Sequence, residues 1–157
     1  MKKGIKISGA CLFCIYFTGL VYALFFAESY GRGMDGSAYN CNIYPFREIF
    51  RYLTCRDILG TRAVLLNLGG NILGFVPFGA LLPIMARGVR RFWKVGLLSF
   101  EISALVEISQ LIFQVGCFDV DDMILNMLGG LIGYGIFCLS GIGYYRMSAG
   151  WKNRKER

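Results

Sequence analysis

Histidine is absent from this chain. That excludes imidazole acid–base catalysis and His-ligated zinc. Proline is scarce, with three residues, so long stretches are free of the commonest helix breaker. Charge is sparse as well, at 17% of residues. No Ser/His/Asp arrangement, phosphate-binding glycine loop or zinc-ligand spacing occurs. What fills the space is apolar: hydrophobic residues make up 55% of the 157, and the mean hydropathy is +0.52. This composition belongs to the membrane class and to one domain covering residues 1–157.

Four apolar segments each run for a membrane-spanning length, at about residues 7–27, 63–85, 95–115 and 123–145. About 20 residues cross a hydrocarbon core of roughly 30 Å as a helix, which satisfies its own backbone polar groups there. The first segment follows Lys2, Lys3 and Lys6, and a signal peptide is its competing reading. Its apolar region is longer than an ordinary leader's and no A-x-A site follows, so a retained helix is expected.

The basic residues predict the topology. Lys2, Lys3, Lys6, Arg87, Arg90, Arg91, Lys94, Arg146, Lys152, Arg154, Lys155 and Arg157 fall on one side if the chain crosses four times. Arg32, Arg47, Arg51, Arg56 and Arg62 fall on the other, with Glu28, Asp35, Glu48, Asp57, Asp119, Asp121 and Asp122. The positive-inside bias then puts both termini and the basic tail, 146–157, in the cytoplasm. The net charge of +7 is accounted for by anionic headgroups, so membrane lipids are expected as partners and nucleic acid is not. The fold class expected is therefore an all-α membrane protein with four transmembrane helices. A partly structured external loop joins the first two. In that loop Gly31–Gly36 reads as a turn, residues 42–46 as an aromatic interfacial stretch and 47–59 as a short surface helix.

Six cysteines are present. Cys11 and Cys14 form a C-x-x-C inside an apolar run, where buried, inert thiols are expected. Cys41 and Cys55 would both be external, and a disulfide between them is left open.

Polar residues inside the apolar segments are costly in a bilayer and ordinarily face a bundle interior or a site. Asn67 and Asn71 lie four apart. Ser103, Glu107, Gln110 and Gln114 share one stripe, and Asp119, Asp122, Asn126, Gly129 and Gly133 share another, whereas Glu101 falls off its stripe. The topology brings these groups into one leaflet, the outer one. Gly70-x-x-x-Gly74 and Gly129-x-x-x-Gly133 are patterns for close helix contact beside them, and Pro77 is expected to kink its helix. The structural alternative is plain: Asp119 and Asp122 have the spacing of a helix cap and first turn, and Asn and Gln serve as interhelical glue. Three functional alternatives stand beside it. Glu107 and Asp122 are candidate acid and base on a lipid-linked substrate, with catalysis itself undecided. Asp119, Asp121, Asp122, Asn126 and Glu107 offer oxygen to a hard cation. The third alternative is a pocket for an external ligand, and the leading expectation is a pocket that binds or modifies an envelope component. Its binding residues are Asn67, Asn71, Glu107, Gln110, Asp119, Asp122 and Asn126, with no metal and no cofactor. A small transporter and a homo-oligomer stay open.

Residues 42–46 (Asn-Ile-Tyr-Pro-Phe), Asn67 to Gly79, Glu107 to Gln110 and Phe118 to Asp122, running on to Gly130, occur in an order and spacing similar to the VanZ-like family of small membrane proteins. The likeness covers about residues 40–135. It implies a bacterial cytoplasmic-membrane protein and motif positions at Asn67, Asn71, Pro77, Glu107, Gln110, Asp119, Asp122 and Asn126. The founding member is linked to low-level resistance to teicoplanin, a lipid-tailed glycopeptide antibiotic acting outside the membrane. The likeness therefore implies a ligand that is an envelope lipid or a lipoglycopeptide. Members often carry an Arg shortly before the Phe-Asp pair. Gly116 and Cys117 stand there in this chain, so a charge partner for Asp119 or Glu107 is either absent or supplied by Arg47 or Arg62.

Overall fold

A computed structural model describes residues 3–26, 41–113 and 116–140. Among these residues every regular element is helical, and one isolated parallel bridge joins Asn42 to Asp119. Helix α1 spans Lys3–Phe26. Two short helices follow, α2 (Arg47–Thr54) and α3 (Arg56–Leu59). A continuous helix α4 covers Thr61–Met85, then come α5 (Phe92–Phe113) and α6 (Val120–Leu139). The turn at 31–36 and the tail at 146–157 lie outside the described residues.

Helices α4, α5 and α6 are each long and apolar enough to cross a membrane. In α1 the apolar stretch among the described side chains is shorter, Cys11–Tyr22. Large apolar side chains cover the bundle's outer surface, among them Leu73, Leu105 and Ile132. A water-soluble monomer rarely presents so much contiguous apolar surface.

Glycine sets the packing of α4 on α6. A Cβ on Gly129 would stand 2.1 Å from the Ile72 carbonyl oxygen, and one on Gly133 would stand 2.0 Å from that of Val76. From the other side, a Cβ on Gly79 would reach within 1.9 Å of the Gly130 oxygen. The two backbones touch, as small-residue faces allow when lipid supplies no hydrophobic drive between helices. The expected Gly129-x-x-x-Gly133 pattern therefore packs as read. Gly70-x-x-x-Gly74 does not. A Cβ on Gly70 meets nothing within 4 Å, and Gly74 faces α1, its carbonyl accepting from Tyr16 Oη at 2.6 Å. Gly79 takes the place expected of that pair.

Helix α1 lies on α4 through Leu20, Phe75 and Phe78, with Phe13 packed on the same cluster. A second cluster, Val95, Tyr134 and Phe137, holds α5 to α6 near the opposite end of the bundle. Cys11 and Cys14 are exposed on α1 rather than buried, because the helix turns the Leu20 side inward instead. Cys41 and Cys55 are free thiols.

Helix α4 runs through Pro77 and Pro83 without a break. Its irregularity comes earlier, where Leu65–Gly69 widens into a π-helical turn. Asn67 lies within this turn and Asn71 just beyond it.

Candidate functional site

The N-terminal part of α4, the C-terminal part of α5 and the N-terminus of α6 meet at one end of the bundle, together with the segment 41–46. An isolated helix leaves its first N–H groups without partners, and the network at this end supplies them. Asp119 is the N-cap of α6, its Oδ1 accepting from the Asp121 N–H at 2.9 Å. The Val120 N–H donates to the Asn42 carbonyl at 3.0 Å, while the Asn42 N–H donates to the Phe118 carbonyl at 2.8 Å. This pair of bonds ties residue 42 to a partner 77 positions away.

Asp121 returns the favour to α2. Phe46, the residue before that helix, has no capping side chain. Its φ of 68° lies in the left-handed region, a strain of about 1–2 kcal/mol for a residue with a Cβ. Asp121 compensates from a different helix. Its Oδ1 accepts from the Phe46 N–H. Its Oδ2 accepts from the N–H groups of Glu48 at 2.7 Å and Ile49 at 3.1 Å. These are the N–H groups an N-cap side chain ordinarily serves, and a carboxylate also suits the positive end of the helix. Each hydrogen bond to a charged group contributes about 1.5–3 kcal/mol in typical cases. Asp121 is fully buried, and it is absent from the binding residues expected from the sequence.

Glu107 lies behind this cap. It is 3% exposed, and its Oε2 accepts from the Asp119 N–H at 2.8 Å. Asn42 Nδ2 donates to Asp119 Oδ1 at 2.8 Å and approaches Asp121 Oδ2 at 3.5 Å. Glu107, Asp119, Asn42 and Asp121 thus form one chain of contacts from α5 to α2. One turn deeper, Asn126 Nδ2 donates to Ser103 Oγ at 2.7 Å. Gln110 is buried on the Glu107 stripe. Gln114 lies outside the described residues.

Two expected binding residues differ from the rest. Asn71 Nδ2 donates to Asp122 Oδ1 at 2.5 Å, and both residues are half-buried. This pair is the accessible edge of the network. Asn67 stands apart: it is exposed and donates to the Ala63 carbonyl of its own helix at 3.0 Å. Asn67 lies within the π-helical turn Leu65–Gly69, and Asn71 lies in the α-helical part that follows. Of the two alternatives for a charge partner, Arg47 and Arg62 are exposed, and Asp119 takes hydrogen bonds from an amide and a backbone N–H. Glu101 is exposed.

The network is rich in acceptor oxygen. Asn42 Oδ1 and Asn126 Oδ1 are buried and accept no hydrogen bond among the described residues, a state costing about 1–3 kcal/mol per group. No group of three or more Cys, Asp or Glu side chains among the described residues is arranged to hold a metal ion. The sequence offers Asp121 only as one of several oxygen donors to a cation. Its work on α2 depends on the fold.

A family model described as VanZ/LLP1 matches residues 13–141. Protein VanZ of Enterococcus faecium is 34% identical over 70 residues, which is 45% of this chain and 43% of that protein. The aligned region therefore spans less than half the length of this relative. No solved structure matches the chain. Since the family model extends over most of the chain, and the helices at 61–85, 92–113 and 120–139 have membrane-spanning length, the chain belongs to the VanZ/LLP1 family.

Proposed function

We propose that this protein binds the polar part of an envelope component at the network end of its bundle, and that this confers low-level tolerance to lipid-tailed glycopeptides such as teicoplanin. In this reading the chain crosses the bacterial cytoplasmic membrane four times, both termini lie in the cytoplasm, and the network faces the outer leaflet. The distribution of Lys and Arg supports that orientation. The observation that carries the proposal is the convergence of Asn42, Asn71, Glu107, Asp119, Asp121 and Asp122 from four segments onto one end of an apolar bundle. A bilayer makes such groups expensive unless they pair or act.

Caps account for Asp119 and Asp121. They leave Asn71 and Asp122, half-buried at the edge, as the contact surface. That edge offers acceptor oxygens beside one amide, so it suits a ligand rich in hydroxyl or N–H groups, such as a sugar or peptide headgroup.

The test compares wild type with Glu107→Gln and Asp122→Asn in a susceptible bacterium. Wild type should raise tolerance to lipid-tailed glycopeptides more than to untailed ones. Asp122→Asn should abolish the gain at unchanged membrane abundance and unchanged melting temperature. Glu107→Gln should abolish it at equal abundance too. Undiminished tolerance in both variants would make the network a structural device only.

A further inference from the structure

We infer that the arm formed by α2, α3 and residues 43–46 is a docking surface for anionic phospholipid headgroups. The inference rests on the membrane placement proposed above but not on the glycopeptide ligand. At about 100° per residue, Phe46, Phe50 and Leu53 share one side of α2 and Arg47 and Arg51 share the adjoining side. Glu48, Ile49 and Tyr52 are half-buried and mark the side turned toward the bundle. Both outward sides are exposed, Phe50 at 66%. Ile58 of α3 is 87% exposed, and Ile43 and Tyr44 continue the apolar surface.

The arm cannot hide this surface by rotating. Asp121 holds the first N–H groups of α2, and the paired backbone bonds of Asn42 hold the preceding segment. The apolar side is continuous in character with the bundle's own outer belt at that end, where Leu65, Leu66, Ile112 and Phe113 are exposed. An amphipathic helix with basic residues beside an apolar face lies in the headgroup layer.

The choice of basic residue points to phosphate. Residues 28–62 carry five arginines and no lysine, whereas all six lysines of the chain lie outside that stretch. Arg47, Arg51, Arg56 and Arg62 are exposed on or next to the arm. A guanidinium fork matches the paired oxygens of a phosphodiester, which a lysine meets only as a point charge. The acids of the arm offset only part of this charge: Glu48, paired with Arg51 at 2.5 Å, and Asp57 stand against four arginines, which leaves a net positive charge. Retaining such charge on the side that the positive-inside bias depletes has a physical use if the arginines engage anionic lipid.

The test uses the full chain in phosphatidylcholine nanodiscs containing phosphatidylglycerol. Trp93 and Trp151 are changed to Phe, and a single reporter is introduced by Phe50→Trp or, as a control on the bundle belt, by Ile112→Trp. Quenching is measured with each lipid brominated in turn at equal mole fraction. The Phe50→Trp reporter should be quenched roughly twofold or more strongly by brominated phosphatidylglycerol than by brominated phosphatidylcholine. Adding Arg47→Gln, Arg51→Gln and Arg56→Gln should bring that ratio to about one. The Ile112→Trp control should be quenched by both lipids without preference. Equal quenching of the Phe50→Trp reporter by the two lipids, or none by either while the control is quenched, overturns the inference alone. An unquenched control overturns the membrane placement with it.

Discussion

At the scale of single residues, the main result is a division of labour among adjacent carboxylates. Asp119 caps α6, Asp121 caps α2 from another helix, and Asp122 pairs with Asn71 at the accessible edge. A sequence reading could assign the cap at Asp119, because the i, i+3 spacing and the start of an apolar run signal it locally. Asp121 was not legible, since its partners are the N–H groups of Glu48 and Ile49 more than 70 positions away. Asp121→Ala should therefore release the arm while leaving the spanning helices in place. The loss is on the order of 2 kcal/mol. The measurement is limited trypsin cleavage at Arg47, Arg51 and Arg56 in the purified protein, with a rate roughly tenfold above wild type expected. A variant cleaved no faster would mean that Asp121 does not hold the arm.

At the scale of elements, the contact between α4 and α6 is decided by backbone approach. Gly129 and Gly133 were readable as a close-packing pattern, whereas the partner position, Gly79, was not, because Gly70-x-x-x-Gly74 matches the same pattern better. Which glycine is used depends on how α4 is rotated about its axis, and the face it turns to α6 carries Gly79 and not Gly70. Two substitutions of equal size separate the cases. Gly133→Ala forces a Cβ against the Val76 carbonyl, and a loss of about 1–3 kcal/mol is expected, seen as a lowered melting temperature in detergent. Gly70→Ala meets open space and should leave the melting temperature unchanged or slightly raised. Equal effects of the two changes would contradict the packing described here.

At the scale of the whole molecule, charge and hydropathy make a statement about sidedness. If the termini are cytoplasmic, Cys41 lies outside and Cys138, near the end of α6, lies close to the cytoplasm. Single-cysteine versions retaining one or the other should behave differently in intact cells. A membrane-impermeant maleimide should label Cys41, which is exposed, and should not label Cys138 until the membrane is opened. Labelling of both from outside would reverse or abolish the proposed topology, and the outer placement of the network with it.

The sequence by itself determined the helical class, three of the membrane-length helices, with the last ending at Leu139 rather than 145, and the burial of Ser103, Glu107, Gln110, Asp119 and Asn126, because hydropathy, helical period and capping signals act over a few neighbouring positions. Only the tertiary structure decided that Asn67 leaves the cluster, that Gly79 replaces Gly70 in the helix contact, and that Asp121 anchors an arm across the bundle end. Each of these depends on a helix's rotation about its axis or on a long-range hydrogen bond. Both arise when backbones pack and their remaining N–H groups find acceptors, and neither has a local signature in the order of residues.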